Sequence, residues 1–325
     1  MSRFGSRTRV STYLSDWMPS GDTSRQSVAG YVAGGQTPSY INRIDKFAFP
    51  NDTKSTLSAT LTQNIAFSAG FANSGVAGYS AGGDDPSVNT ISKISFPADT
   101  RTTLVATTSS IIYSATGFAN SGVAGYISGG FDNAGGVAVD RTDKITFPAD
   151  TKTIISAVLT TVVREPAGFS DTSVAGYIAG GLSGATLFSR IDKITFPADT
   201  KSTLSATLTT AADFICGFSN YGVAGYTAGG EDSGGFLSRL DKIAFPSDTK
   251  STLSATLTSV VGKSPAGFSD NGVAGYVAGG VTTGPTRLDR VDKIAFPADT
   301  KSTLSAVLTA ATQNINCGFA DCGVL

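Results

Sequence analysis

The sequence predicts an all-β fold in which six similar four-stranded units close into a ring, and three observations carry that expectation. The string Val-Ala-Gly-Tyr recurs with its tyrosine at Tyr31, Tyr79, Tyr126, Tyr177, Tyr226 and Tyr276, at steps of 48, 47, 51, 49 and 50 residues. That period belongs to propeller blades and not to short solenoid coils. The chain opens its first unit in mid-repeat at Ser27-Val28-Ala29-Gly30-Tyr31, and Gly318 to Val324 supplies the missing front half of that unit. A linear array would need atypical caps at both ends, whereas fragments that complete one another suit closure into a ring. The composition is rich in Gly, Ser, Thr, Ala and Val, with Glu165 and Glu231 as the only glutamates, which favours strands and turns over helices. The expected organisation is an N-terminal arm over 1–26 and one six-bladed domain over 27–325.

The unit from Gly217 to Leu257 shows each element in turn. Gly217–Asn220 reads as a short first strand and Tyr221-Gly222 as a tight turn. The second strand is Val223–Ala228, ended by Gly229-Gly230, a pair that permits positive φ and close backbone approach. A variable loop follows. The third strand is Arg239–Phe245, Pro246 to Lys250 makes a turn, and Ser251–Leu257 reads as the fourth strand. Four antiparallel strands cannot bury both faces alone, so stability has to come from unit against unit.

These residues resemble a kelch-type β-propeller. The aromatic residue and two apolar residues before a glycine pair are matched by Tyr31-Val32-Ala33-Gly34-Gly35 and its five relatives. The turn Phe196-Pro197-Ala198-Asp199-Thr200-Lys201-Ser202-Thr203-Leu204 is similar to the kelch aromatic-Asp-Pro turn. The kelch tryptophan is replaced by Leu57, Leu104, Ile154, Leu204, Leu253 and Leu304. The near-identical repeats with an Asp-Lys-Ile strand also look like the kelch-like repeat proteins of tailed phages of cyanobacteria and marine bacteria. The resemblance implies a blade scaffold with a structural or adhesive role in a virion.

Composition excludes several chemistries. The chain has no histidine, so a Ser-His-Asp triad, a histidine base and histidine metal sites, copper oxidase sites included, are ruled out. A net charge of −1 supplies no field to attract nucleic acid or an anionic membrane. No stretch is apolar enough to span a bilayer and the N-terminus lacks a signal-peptide core, so a soluble, unprocessed protein without membrane insertion is expected. Cys216, Cys317 and Cys322 are an odd number without metal-ligand spacing; buried thiols are favoured over a disulfide between Cys317 and Cys322. Paired carboxylates of the glycosidase kind remain conceivable for Glu165, Glu231 and Asp232, although nothing in their spacing joins them. The expectation is a protein without catalytic residues, cofactor or metal.

Residues that recur read as scaffold. Asp52, Asp99, Asp150, Asp199, Asp248 and Asp299, each before a threonine, are expected to bond nearby backbone N–H groups and fix the turn, with calcium as the alternative. Arg43/Asp45, Arg141/Asp143, Arg190/Asp192, Arg239/Asp241 and Arg290/Asp292 stand two apart on one strand face, and the second unit loses both as Thr90 and Ser92. That paired loss points to an ion pair. The lysines at 46, 93, 144, 193, 242 and 293 read as a solvated face, or else an anion-binding ring. The phenylalanines at 71, 118, 169, 218, 268 and 319 read as packing residues.

Comparison of the units with one another separates this scaffold from what varies. Turns one-to-two and three-to-four are nearly constant. Segments two-to-three and four-to-one differ in every copy and emerge together in an up-and-down blade, so one face is uniform and the other individual. The individual face supplies the candidate partner-binding residues Tyr40, Asp85, Phe131, Leu182, Glu231 and Thr283; unused loops under relaxed constraint are the alternative. The arm adds Arg9, Tyr13 and Trp17, a basic and aromatic set suited to docking. The expected partners are other virion proteins through the arm, and a host-surface glycan or protein through the face. The expected location is a phage particle, in its tail or an appendage. An intracellular kelch-like scaffold in the cytoplasm, or a glycan-binding lectin, is the alternative.

Overall fold

The computed structural model describes residues 27–284, 286–315 and 317–322, so the arm with Arg9, Tyr13 and Trp17 lies outside the described residues. The protein is all-β: among the described residues there is no α-helix, and the strands build four-stranded antiparallel sheets of one recurring design. Five of these sheets are continuous in sequence, over 69–103, 116–154, 167–207, 216–252 and 266–303. The remaining sheet draws on both ends of the chain. Ala29–Ala33, Ile44–Ala48 and Thr53–Thr56 come from the front, and Gly318–Asp321 from the back, paired Ala29 to Asp321 and Val32 to Gly318. Counting this split sheet as unit 1, units 2 to 6 follow in chain order.

Burial grades across each sheet and explains the composition. The second strands, of the type Ala-Gly-Tyr-X-Ala, are buried at all five positions in all six units. Small residues are needed where both sheet faces are covered. The fourth strands, of the type Thr-Lys-Ser-Thr, are mostly exposed. Lys54, Arg101, Lys152, Lys201, Lys250 and Lys301 on these outer strands discourage edge-to-edge pairing with another chain.

The core consists of six apolar clusters, one between each pair of neighbouring sheets, including one between unit 6 and unit 1. At its centre each cluster holds a buried tyrosine stacked between two phenylalanines, as Tyr226 lies 5.1 Å from Phe218 of its own sheet and 5.2 Å from Phe296 of the next. The phenylalanines of the first strands thus pack as expected. Each also fills the space above a second-strand glycine of the following unit: a methyl on Gly225 would overlap the ring of Phe169, and one on Gly30 that of Phe268. The first strands come closer still. A methyl on Gly117 would overlap the Gly70 carbonyl, and the same holds for Gly217 on Gly168, Gly267 on Gly217 and Gly318 on Gly267. Gly70 in turn lies against Gly318. Only glycine permits this spacing.

Two polar stations tie each sheet to the next, and both revise what single repeats suggest. The turn aspartates do not bond local N–H groups. Asp99 accepts the Tyr31 hydroxyl at 2.8 Å and the Lys46 ammonium at 2.6 Å, both from the preceding unit. Asp150, Asp199, Asp248, Asp299 and Asp52 repeat this with the tyrosine and lysine of the unit before each. The six lysines are therefore neither a solvated face nor an anion ring; each is neutralised by an aspartate and lies 5.3–5.6 Å over a tyrosine ring. The aspartate backbone sits in the left-handed region, φ 53–55°, which Asp tolerates better than most residues.

At the second station the buried Asp45 accepts Thr309 N at 2.9 Å and Thr309 Oγ1 at 2.6 Å from the preceding unit, and Thr56 Oγ1 at 2.8 Å. Burial raises its carboxyl, but the threonine bonds and Arg43 outweigh this and hold it below the usual range. The expected arginine partner is present in four units, at 3.4–3.7 Å. Arg141 is the exception: it turns to the hairpin acid Asp132 at 3.5 Å, while Asp143 accepts Ser109 N, at 2.7 Å, and Ser109 Oγ, as its counterparts accept threonine. In unit 2, Ser92 replaces the aspartate and meets Thr62 Oγ1 at 2.9 Å, a neutral bond that needs no arginine.

Strand bounds differ at the fourth strand. It runs Thr249–Thr252 rather than Ser251–Leu257: Asp248 at φ 54° closes the turn early and pairs Thr249 with Ala244, and ladder pairing stops at Thr252 opposite Asp241. The first three strands start or stop one residue from expectation, at Cys216–Asn220, Ala224–Ala228 and Leu240–Ala244. The three cysteines are buried and free.

Candidate functional site

Antiparallel order puts turns one-to-two and three-to-four at one end of every sheet, and segments two-to-three and four-to-one at the other. The first end is uniform, and a half-exposed valine recurs there at Val28, Val76, Val123, Val174, Val223 and Val273. The second end is individual. Three of its segments fold into two-residue hairpins that sequence reading treated as loops: Phe131–Asp132 with Val137–Ala138, Leu182–Ser183 with Thr186–Leu187, and Glu231–Asp232 with Gly235–Phe236.

These hairpins are fixed to the link that enters the first strand. Arg164 N donates to Leu182 O and Leu182 N to Arg164 O, both at 3.0 Å; Asp213 and Glu231 exchange the same pair of bonds, as do Gly262 and Val281. Each link then passes through a residue held in the left-handed region, namely Phe67, Ser114, Glu165, Phe214, Lys263 and Asn314, with φ 52–60°. Neighbouring links bond one another, Phe67 N to Asn314 O, Ser114 N to Phe67 O and Glu165 N to Ser114 O. Left-handed backbone at non-glycine residues, six times over, is held only by an environment that over-determines it.

The candidate residues fall into separate parts of this end. Tyr40 bridges to Gln36, and burial, followed by the charges of Asp84 and Asp85 in the next unit, raises its hydroxyl. Phe131 meets Tyr113 in a tilted ring pair at 5.2 Å and carries the Arg164 guanidinium 5.6 Å over its ring. Leu182 holds Arg164 through its backbone. Glu231 pairs with Lys263 at 3.3 Å, and Lys263 lies 4.4 Å over Phe214 and 5.9 Å over Phe236. Thr283 is exposed in a segment closed by the Thr282 N to Thr286 O bond.

One pairing was not foreseen. Glu165 does not meet Glu231 or Asp232; it meets Asp213, and both are 5% exposed. Burial, with Asp213 opposing ionisation, pushes Glu165 well above the carboxylate range, and burial raises Asp213 as well. Two carboxyls in hydrogen-bond contact hold a proton between them, which accounts for the Glu165 oxygen that finds no other partner. Arg164, Asp213, Tyr113 and Lys263 were also missed as site residues. Their signal was available three to five residues before each first strand, where the aligned residues Ala66, Tyr113, Arg164, Asp213, Gly262 and Gln313 differ in every unit, with Lys263 one position on. No protein-family model matches the chain, and no curated protein matches it.

Proposed function

We propose that the six sheets are the blades of a closed, kelch-like six-bladed β-propeller, and that the protein is a non-enzymatic binding scaffold whose individual end meets its partner. The observation that carries this is the boundary between units 6 and 1. Tyr276 and Lys293 reach Asp52 and Phe268 packs on Gly30, as at every internal boundary, and Thr309 reaches Asp45 as Thr160, Thr209 and Thr258 reach Asp192, Asp241 and Asp292. Segments that differ in all six units, yet are locked by backbone bonds, fit a preorganised surface better than unused loops. A hydrolytic role has little support: the buried carboxyl pair Glu165 and Asp213 is in direct contact and covered, leaving no room for a glycosidic bond between its members.

In this reading the protein is a structural or adhesive virion component of a tailed phage, attached through the arm and facing a host surface or another virion protein. The support is the repeat style. Peptide mass spectrometry of purified particles tests it: stoichiometric presence is expected, and absence from particles with the protein free in lysate would favour the cytoplasmic scaffold instead. Glycan arrays separate out the lectin.

A further inference from the structure

We propose that the groove between the hairpins of units 3 and 4 binds a carboxylate-bearing protein segment, an acidic side chain beside an apolar one, with Arg164 as its anchor. This rests on the reading of the individual end as the partner-binding face. The groove measures about 320 Å³ and is bounded by Phe131, Val137 and Ala138 of one hairpin, Ser183 and Gly184 of the other, and Val162 and Arg164 of the link between the units. That volume is at the small end of ligand sites, enough for one or two side chains.

Three features single out Arg164. First, its guanidinium has no carboxylate within ion-pair distance among the described residues, unlike the third-strand Arg43, Arg141, Arg190, Arg239 and Arg290; Arg101 and Arg287 share this, but of the three Arg164 alone lines the groove. Second, it is held in place: its backbone is clamped to Leu182 on both sides, and its guanidinium lies over Phe131, which is itself backed by Tyr113. Stacking on one face leaves the edge N–H groups free for a bidentate carboxylate. Third, the neighbouring carboxyls are turned to each other: Glu165 and Asp213 hold a proton between them under cover, and neither forms an ion pair with the guanidinium.

The walls choose between sources of carboxylate. Val137 and Val162 are 56% and 37% exposed, and Ala138 adds to an apolar lining in which Ser183 supplies the one side-chain hydroxyl. An acidic sugar would set its hydroxyls against these valines unpaired, at a desolvation cost. A peptide carboxylate flanked by aliphatic side chains leaves no such groups.

The test is a heteronuclear NMR titration of the full chain with acetyl-Leu-Asp-Leu-amide, its Asn counterpart, and glucuronate. The Asp peptide is expected to shift the amides of 131, 137, 162 and the Nε–H of Arg164, and to bind at least tenfold tighter than the Asn peptide. Arg164→Gln should abolish that preference while the protein stays folded, since Arg164 makes no ion pair and loses only its contact with Phe131, and Arg239→Gln should leave the preference intact. No preference for Asp over Asn, an unchanged preference in Arg164→Gln, or binding by glucuronate in place of the peptide would overturn the proposal. A folded ring that fails here loses this site alone; loss of the binding-face reading would require in addition that no particle or partner protein contacts the individual end.

Discussion

Replacing Asp52 by Asn asks whether the boundary between the two chain ends is as strong as the boundaries inside the chain. Asp52 accepts the Tyr276 hydroxyl at 2.7 Å and the Lys293 ammonium at 2.6 Å, and the ion-pair side chains are only 20% and 13% exposed. Asn keeps the shape and tolerates the left-handed backbone, and its oxygen can still accept the tyrosine. The loss is the charge opposite Lys293. A mostly buried, charge-assisted bond of this geometry is worth about 2–3 kcal/mol. Asp199→Asn is the matched internal control, with Lys144 at 2.6 Å and side chains 18% and 15% exposed. Guanidinium unfolding should give the two variants equal losses, each about 2–3 kcal/mol. A seam variant within about 0.5 kcal/mol of the parent, beside an internal variant that loses the full amount, would refute closure through these contacts.

Four further outcomes follow from the same contacts. Gly225→Ala should cost at least about 1–3 kcal/mol by overpacking against Phe169, read by the same unfolding assay. Stability should fall as pH rises from about 4.5 to about 8, because folded Glu165, with its carboxyl pushed up to about 8, keeps a proton that the unfolded chain releases near 4.5; the gain is complete below the lower value and gone above the upper. Glu165→Gln should flatten this slope, and an unchanged slope would count against the shared proton. Burial pushes the thiols of Cys216 up to about 12 and of Cys317 and Cys322 to about 11, so none should react with a disulfide reagent until the protein unfolds. Dialysis against a chelator should leave the melting temperature unchanged, because the turn aspartates are occupied by lysine and tyrosine.

The strands were legible because one pattern was written six times: glycine pairs, Phe-Pro turns and alternating Ile and Lys mark them without any tertiary information. What single repeats hid was everything made between repeats. Tyr31 and Asp99 lie 68 residues apart, so a turn aspartate read within its own unit meets only local N–H groups and is assigned to them. The lysines were misread for the same reason, since Lys46 looks free until the next unit brings Asp99. At the individual end the difficulty was the reverse. Glu165 and Asp213 sit in adjacent units and at neighbouring, non-identical positions, so no repeated signal pairs them, and burial, which decides their chemistry, is not written in spacing. Arg141 shows how a local acid redirects a partner: a hairpin aspartate, Asp132, takes the guanidinium that the pattern assigns to Asp143.

The central claim is that Gly318–Asp321 is the first strand of the sheet begun by Ala29–Ala33. Hydrogen exchange read by mass spectrometry tests it on the unmodified protein, by comparing the peptide over 317–322 with the equivalent internal strand Cys216–Asn220. Strand pairing and burial on both sides predict that the two peptides exchange together, at the rate of global opening. Rapid exchange of 317–322 alone, with the internal strand protected, would mean that the chain's ends are not joined and that the six units form an open array.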